Sequence, residues 1–480
     1  MNNAPAHRDM TAEQRNALLD LLPSDNLHRF GSAQTFHPQR RQLYFTLPGP
    51  KLNGASRALV VRSDGTLLPY SFEAITGEGF YPSTIDPKTH APTPPSGVAR
   101  WSRRSLQNFL DVPTPQPTAA EVYQEITAYL KRFIYHDDPR VLGLVALCTM
   151  ASYVHAVFAS LPLLCISGER ETGKTRVVEI VSALGFNGKL RSSLTSAALA
   201  REATRDQPLI CIDEAEELGN GRRHQETCRL LRAMYRNSGT REISGPGGTG
   251  LVFSLFCPVV LVNIVGVDDA LRNRIIEITT VRREGPVDRF RLHQQHDALQ
   301  RLRDDLYRFA CTYVGQIYDI YNTFPQVDNL SDRTEELWLP ILTLAKVIDA
   351  TDPPLDLFDK MAKFAGELCQ EKQEQEQFVN RDMRIIAGLY YFLEDRALSH
   401  KDTPEVNAGE LTTYLKTAED MQDLRKEEVS RVLRRAKIID GTFRRRVSNG
   451  TASTNPLVHY KINMDRVKER AQTLRLLEGS

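Results

Sequence analysis

Eight consecutive residues, Gly168-Glu169-Arg170-Glu171-Thr172-Gly173-Lys174-Thr175, carry the spacing G-x4-G-K-[ST]. Glycines at the two ends of such a run let backbone N–H groups close around phosphate oxygens at a helix N-terminus. Lys174 is then placed for the β- and γ-phosphates, and the Thr175 hydroxyl for magnesium. Asp213 and Glu214, 39 and 40 residues after Lys174, close the apolar run Leu209-Ile210-Cys211-Ile212. Adjacent carboxylates after a buried strand suit a division of labour: Asp213 orders the magnesium shell and Glu214 activates the attacking water. The competing reading is a solvated strand end, because Glu216 and Glu217 continue the acidic run. Asn263 ends a third apolar run, Pro258-Val-Val-Leu-Val-Asn263. A polar residue there can hold water near the γ-phosphate, or it can be an ordinary turn residue. The chemistry implied is hydrolysis of a nucleoside triphosphate with Mg2+.

Such side chains need a rigid edge to hold them. Leu161–Ser167 reads as a strand, Lys174–Leu184 as a helix, 208–213 as a second strand, a helix follows near 224–236, and 257–264 is a third strand. Short, uniformly apolar strands separated by helices predict a parallel sheet covered on both faces. Strand ends on one edge of such an open sheet line its ligand crevice, which is where these residues fall. Beyond 286 the pattern becomes helical, and the Gln/Glu/Lys run at 370–377 marks a solvated connector.

Phosphate loop, Asp-Glu strand, Asn strand and then Asp269-Ala-Leu-Arg272-Asn-Arg274-Ile-Ile-Glu-Ile stand in the order of the AAA+ superfamily of P-loop ATPases, which the sequence resembles. The resemblance implies that Arg274, with Arg272 as its rival, reaches into a neighbouring subunit's site as an arginine finger. A guanidinium beside the γ-phosphate neutralises charge in the transition state. Asp332-Arg333-Thr-Glu-Glu-Leu-Trp338 opens a further helix. It resembles the ATPase domain of phage- and plasmid-borne primase–helicase proteins, which implies that Arg333 is the lid arginine (sensor 2) that touches nucleotide. Asp332 as a plain helix cap is compatible with that role. The resemblance covers about 160–350 well and 380–475 loosely, and it leaves out the N-terminal stretch.

Between the acidic strand and the Asn strand, TREIS (240–244) and LVFSL (251–255) flank a glycine-rich tip, the pattern of a β-hairpin. It is similar to the hairpin of replicative helicases of the MCM and superfamily 3 groups, which implies DNA contact in a ring's channel. The tip has no lysine, so Arg241, with Arg232 and Arg236 upstream, would supply the charge. A simple turn or a subunit contact is the alternative.

Residues 420–480 hold 14 basic and 8 acidic side chains, a net +6, against a net −5 over residues 1–419. A helix at 427–440 carries Arg431, Arg434 and Arg435. A strand with Arg444, Arg445 and Arg446, a flexible stretch and LVHYKIN follow it. That is the order of a winged helix, with helix arginines for a groove and strand arginines for phosphates. Winged helices also serve as protein contacts, so a subunit-packing role remains the alternative.

Global composition bounds the rest. The chain has 480 residues, 25% charged and 41% apolar, with a net charge of +1, which fits a soluble multidomain protein and not a polycation. Seven scattered cysteines lack zinc or disulfide spacing, and no apolar signal core opens the chain, so a cytoplasmic protein is expected. Val141–Ser167 resembles a membrane span in length, but its end runs into the phosphate loop, and a buried core helix is expected instead. His293 and His296 sit three apart, without a third ligand for a metal.

The expected fold is α/β: a P-loop AAA+ parallel-sheet core with a helical lid, a small N-terminal α+β module and a C-terminal winged-helix-like domain. Expected boundaries are an N-terminal module at 1–115, a helical lead-in at 116–160, the ATPase core at 161–285, the lid at 286–375 and the basic domain at 380–480. The expected function is a ring-forming, ATP-driven DNA translocase or helicase-like motor of a mobile genetic element, and the resemblance implies a hexameric ring. The alternative is an AAA+ switch or remodeller acting on protein partners, for instance in phage defence, with the N-terminal module as the partner site.

Overall fold

The computed structural model describes residues 28–473 except 50, 53–54, 57, 83–84, 86–91, 98, 112–114, 170, 193–194, 214–221, 245–249, 263–268, 283–284, 286, 328–329, 331, 352, 380, 402, 419–420, 422–423 and 446–456. The chain divides into two compact units, Met1–Gly366 and Glu367–Ser480.

The first unit opens with β1 (His28–Phe30), β2 (Gln34–His37), β3 (Gln42–Leu47), β4 (Lys51–Leu52), β5 (Ala55–Ser56), β6 (Leu59–Arg62) and β7 (Leu67–Pro69). α1 (Phe72–Gly77), β8 (Phe80–Pro82) and α2 (Arg103–Leu110) complete this stretch. β2, β3, β6 and β7 form an antiparallel sheet, and Phe30, Tyr44, Val60, Ile75 and Phe80 make a small core beside it. The stretch does not stand apart as a module. Buried Gln34 donates from Nε2 to Tyr153 O at 2.9 Å and accepts at Oε1 from Ala156 N at 3.0 Å, so its amide is used at both ends. Phe45 enters a ring cluster with Trp101, Phe186 and Tyr307. These partners lie far along the chain, beyond the reach of local pattern.

α3 (Ala119–Phe133) starts at a capping box between Thr118 and Glu121, and α4 (Pro139–Ser152) starts at Asp138, whose carboxylate accepts from Arg140 N. α4 is buried along most of its length and ends before the next strand, so the apolar run from Val141 is a core helix followed by a sheet strand. No helix among the described residues is long and apolar enough to cross a membrane.

The sheet consists of β9 (Leu163–Gly168), β10 (Lys189–Arg191), β11 (Ile210–Ile212), β14 (Val259–Val262) and β15 (Ile275–Thr280). Its order is β10-β11-β14-β9-β15, with every neighbour parallel, as in a P-loop core. Between the strands run α5 (Lys174–Leu184), α6 (Ser196–Asp206), α7 (Arg222–Met234) and α8 (Asp269–Arg272). β12 (Thr240–Ser244) and β13 (Gly250–Ser254) form the antiparallel hairpin that the sequence predicts. α9 (His296–Asn322) and α10 (Asp332–Asp349) pack on each other, and α10 packs on α4. α11 (Leu357–Val379) spans the division between the units.

The second unit holds α12 (Arg381–Asp395), β16 (Glu405–Asn407), α13 (Ala408–Ala418), α14 (Lys426–Arg435), β17 (Ile439–Arg445), β18 (Leu457–Ile462) and α15 (Met464–Thr473). Its three strands form an antiparallel sheet in the order β16-β18-β17. Leu389, Leu411, Leu433 and Tyr460 are among the fully buried residues of its core.

Candidate active site

β9 delivers the chain to the carboxyl edge of the sheet, and the phosphate loop bridges it to α5. Three of its residues lie at positive φ: Gly168 at 133°, Glu171 at 64° and Gly173 at 90°. A Cβ on Gly168 would stand 2.5 Å from Thr280 O and 2.6 Å from Thr280 Oγ1, so both conformation and space require glycine there. Gly173 caps α5 from the left-handed region, which turns the loop into the helix. Lys174 is buried, and its Nζ donates to Gly168 O and Glu169 O, both at 2.5 Å. The ammonium is therefore held against the loop that would surround a phosphate. Thr175 is exposed in the first turn of α5, open to a magnesium ion. Arg170 lies outside the described residues.

Thr280, at the end of β15, forms the floor of the loop. Its hydroxyl donates to Ser167 O at 2.9 Å and lies 2.7 Å from the Thr172 hydroxyl, which itself donates to Glu169 O. The sequence marks neither Thr280 nor Ser167, because their role depends on β15 pairing beside β9.

Parallel registry carries Asp213 to the same edge. Ile212 pairs with Leu261, and Val262 pairs with Ile166, so Asp213 leaves the sheet two residues below the level of Gly168. Its backbone N–H donates to Arg191 O at 2.8 Å. Glu214 and Asn263 lie outside the described residues. Each follows directly on a residue at this carboxyl edge. Burial pushes the Cys211 and Cys257 thiols far up, so both remain neutral packing groups.

The arginines lie elsewhere. β15 runs in register with β9 from Ile275 against Leu163 to Thr280 against Gly168, which puts Arg274 about 20 Å from Gly168 at roughly 3.3 Å per residue. Arg274 O accepts from Leu163 N at 3.0 Å, and its guanidinium lies over the Tyr235 ring at 5.9 Å from the centroid. Arg272 ends α8 on the same amino edge. Arg333 is in the first turn of α10, and its side chain lies outside the described residues. One turn on, Glu336 bonds Arg236 at 2.6 Å, and Arg236 bridges to Ser160 just before β9 begins. The start of α10 is thus also near the amino edge. Arg272, Arg274 and the start of α10 lie toward one edge, and the loop at 168–175 and Asp213 toward the other.

Two further arginines hold α5 from behind. Arg100 donates to Ala183 O at 2.6 Å, Gly185 O at 3.1 Å, Gly188 O at 3.3 Å and Ser182 O at 3.4 Å, and Arg303 donates to Ala183 O at 3.1 Å. Cations at a helix C-terminus complement the dipole whose positive end faces the phosphate site. Local sequence offers no signal for this pairing.

Among the residues expected to meet DNA, Arg241 in the hairpin forms an ion pair with Glu226. The hairpin tip, 245–249, lies outside the described residues. On α14, Arg431 is exposed, Arg434 donates to Thr442 Oγ1 at 2.8 Å, and Arg435 pairs with Asp382. Arg444 is exposed on β17; Arg446 and the side chain of Arg445 lie outside the described residues. His293 and His296 are both exposed, and among the described residues no group of three His, Cys, Asp or Glu could hold a metal.

No family model and no curated protein sequence matches the chain. Solved structures similar to it include the JCV helicase, at 13% identity and a TM-score of 0.22 over 52% of this chain and 65% of that one. A full-length MCM homolog from Methanopyrus kandleri is similar at 12% identity and a TM-score of 0.32, over 68% of this chain and 76% of that one. The chain therefore spans about two thirds of the length of that JCV helicase structure. Likeness at this level carries no weight for the reaction, which has to be read from the chain's own residues.

Proposed function

We propose that the chain is an ATP-hydrolysing, ring-forming motor that acts on DNA. The observation that carries the ring is the division of the candidate site between two sheet edges. Lys174, Thr175 and Asp213 belong to the carboxyl edge, whereas Arg272 and Arg274 belong to the amino edge, about 20 Å away for Arg274. One copy cannot bring both sets to one nucleotide. A second copy that presents its amino edge to the first copy's loop can, and repetition of that head-to-tail contact gives a ring where its rotation closes.

The residues fit ATP with magnesium. The loop offers backbone N–H groups and the Lys174 ammonium at the N-terminus of α5, and Thr175 and Asp213 supply hard oxygen donors at the same edge. Thr175 and Asp213 would hold the magnesium ion, which would supply charge neutralisation to the phosphates. Glu214 would take the proton of the attacking water, Asn263 would orient that water, and a neighbour's Arg274, with Arg272 as the rival, would stabilise the transition state. Arg333, at the start of α10, would be the lid arginine that touches the nucleotide.

DNA as the substrate draws on the basic second unit. The order α14, β17, β18, with β16 joining the sheet, supports reading it as winged-helix-like. The origin in a mobile genetic element and a hexameric ring belong to this reading. The competing reading, a switch acting on protein partners, draws on the Arg241–Glu226 pair, which occupies the hairpin's arginine. ATP hydrolysis measured with and without single- and double-stranded DNA separates the two. The motor predicts stimulation, and steady basal hydrolysis with no response to either DNA form defeats it.

A further inference from the structure

The second unit presents an outward sheet face that the ATPase reading does not use. Asn407, His459 and Phe443 share one row across β16, β18 and β17, and Glu405, Lys461 and Gly441 share the next. Val458, Tyr460 and Ile462 pack into the core, so the alternation of β18 leaves Leu457, His459 and Lys461 on the outer face. On that face the Phe443 and His459 rings stack, with centroids 5.4 Å apart and planes 21° from parallel. Lys461 Nζ stands 5.9 Å from the Phe443 centroid, and Asn407 Nδ2 lies 3.4 Å from His459 Nε2. Both rings are partly exposed, and Lys461 and Leu457 are exposed.

The charge around these rings favours an anion. From 437 to 461 the chain has five basic residues, Lys437, Arg444, Arg445, Arg446 and Lys461, against one acid, Asp440. Glu405 in the Lys461 row tempers this without reversing it. Meanwhile α14 is partly committed within its own unit, through Arg435 to Asp382 and Arg434 to Thr442. A duplex hides the faces of its bases, whereas a single strand opens them to stacking on flat rings beside cations.

We propose that the outer face of the β16-β18-β17 sheet binds single-stranded DNA, with Phe443 and His459 as a stacking platform for an unpaired base and Lys461 as the adjacent phosphate contact. The proposal rests on the DNA reading above and narrows it to one strand form and one surface. Its test uses the full chain, a fluorescently labelled oligothymidylate strand and a blunt duplex of equal length, titrated across a salt series. Phe443→Leu keeps apolar volume but removes the ring, and weakens single-strand binding about tenfold to a hundredfold. Duplex binding, DNA-free ATP hydrolysis and the thermal melt stay unchanged. Phe443→Trp retains binding, His459→Gln weakens it in the same sense, and Lys461→Gln reduces the salt slope by roughly 0.7. Unchanged single-strand binding in both Phe443→Leu and His459→Gln overturns the platform and leaves the motor reading intact. Wild-type binding to duplex alone also overturns the platform. Binding to neither form, with the face instead retaining a protein, overturns both.

Discussion

Gly168 and Gly173 both sit at positive φ, yet a side chain would meet different obstacles at the two positions. At Gly168 a methyl group collides with Thr280, whereas at Gly173 nothing lies within 4 Å. Gly168→Ala should therefore cost about 2–4 kcal/mol, from strain plus displacement of the loop floor, and Gly173→Ala only about 1 kcal/mol. Urea unfolding read beside nucleotide titration checks this order; equal costs would contradict the Thr280 contact. His155 couples stability to pH. It is fully buried, its Nδ1 lies 2.9 Å from Ser152 O, and its Nε2 has no hydrogen-bond partner among the described residues. Burial lowers its pKa from 6.5 to about 4. Below pH 6.5 the unfolded imidazole takes up a proton that the folded one refuses until about pH 4, so protons favour unfolding across that window. Stability is full above it and falls by up to about 3 kcal/mol as pH drops through it. Unfolding midpoints against pH should show this slope, and His155→Gln should flatten it.

Among the elements, α5 is the one with both ends under load. Its N-terminus carries the phosphate loop, and its last turn is held by Arg100 and Arg303. Arg100 comes from the N-terminal stretch, so that stretch helps to seat α5. Arg100→Ala should lower the stability of the first unit by about 2–4 kcal/mol, because four carbonyls lose a charged donor. Nucleotide affinity should fall with it. A denaturant melt that does not move would show the contacts to be replaced by water. The helix boundaries of α5 and the hairpin arms were legible from apolar spacing and glycine placement. The Arg100 clamp was not, since 83 residues separate it from Ala183 and no local pattern joins them.

For the whole molecule, the decisive geometry is the separation of the two sheet edges. Mixing Glu214→Gln protomers with Arg274→Ala protomers should restore a fraction of ATP hydrolysis, because some interfaces then pair an intact loop with an intact arginine. Each variant alone should fall by a factor of about 10³ or more. Restoration absent from the mixture, while mixed oligomers demonstrably form, would place the arginine in its own subunit's site. The net charge of +1 is also an average over the molecule: residues 420–480 carry 14 basic and 8 acidic side chains, leaving 47 and 52 for 1–419. Any grip on DNA is therefore local, and its strength should fall with salt in proportion to a few contacts.

The sequence by itself determined the glycine-and-lysine loop at 168–175, the strand that carries Asp213 and the helix–strand–strand order from 426 to 462. Each rests on contiguous spacing: glycine and lysine positions, unbroken apolar runs and period-two alternation. Only the tertiary structure decided the rest. It set β15 beside β9 so that Thr280 floors the loop, and it put Arg274 on the far edge. It also drew the N-terminal stretch onto the core through Gln34 and Arg100 and stacked Phe443 on His459. Each of those facts depends on which strands and helices become neighbours, and such pairing is fixed by packing across long separations rather than by the residues next in the chain.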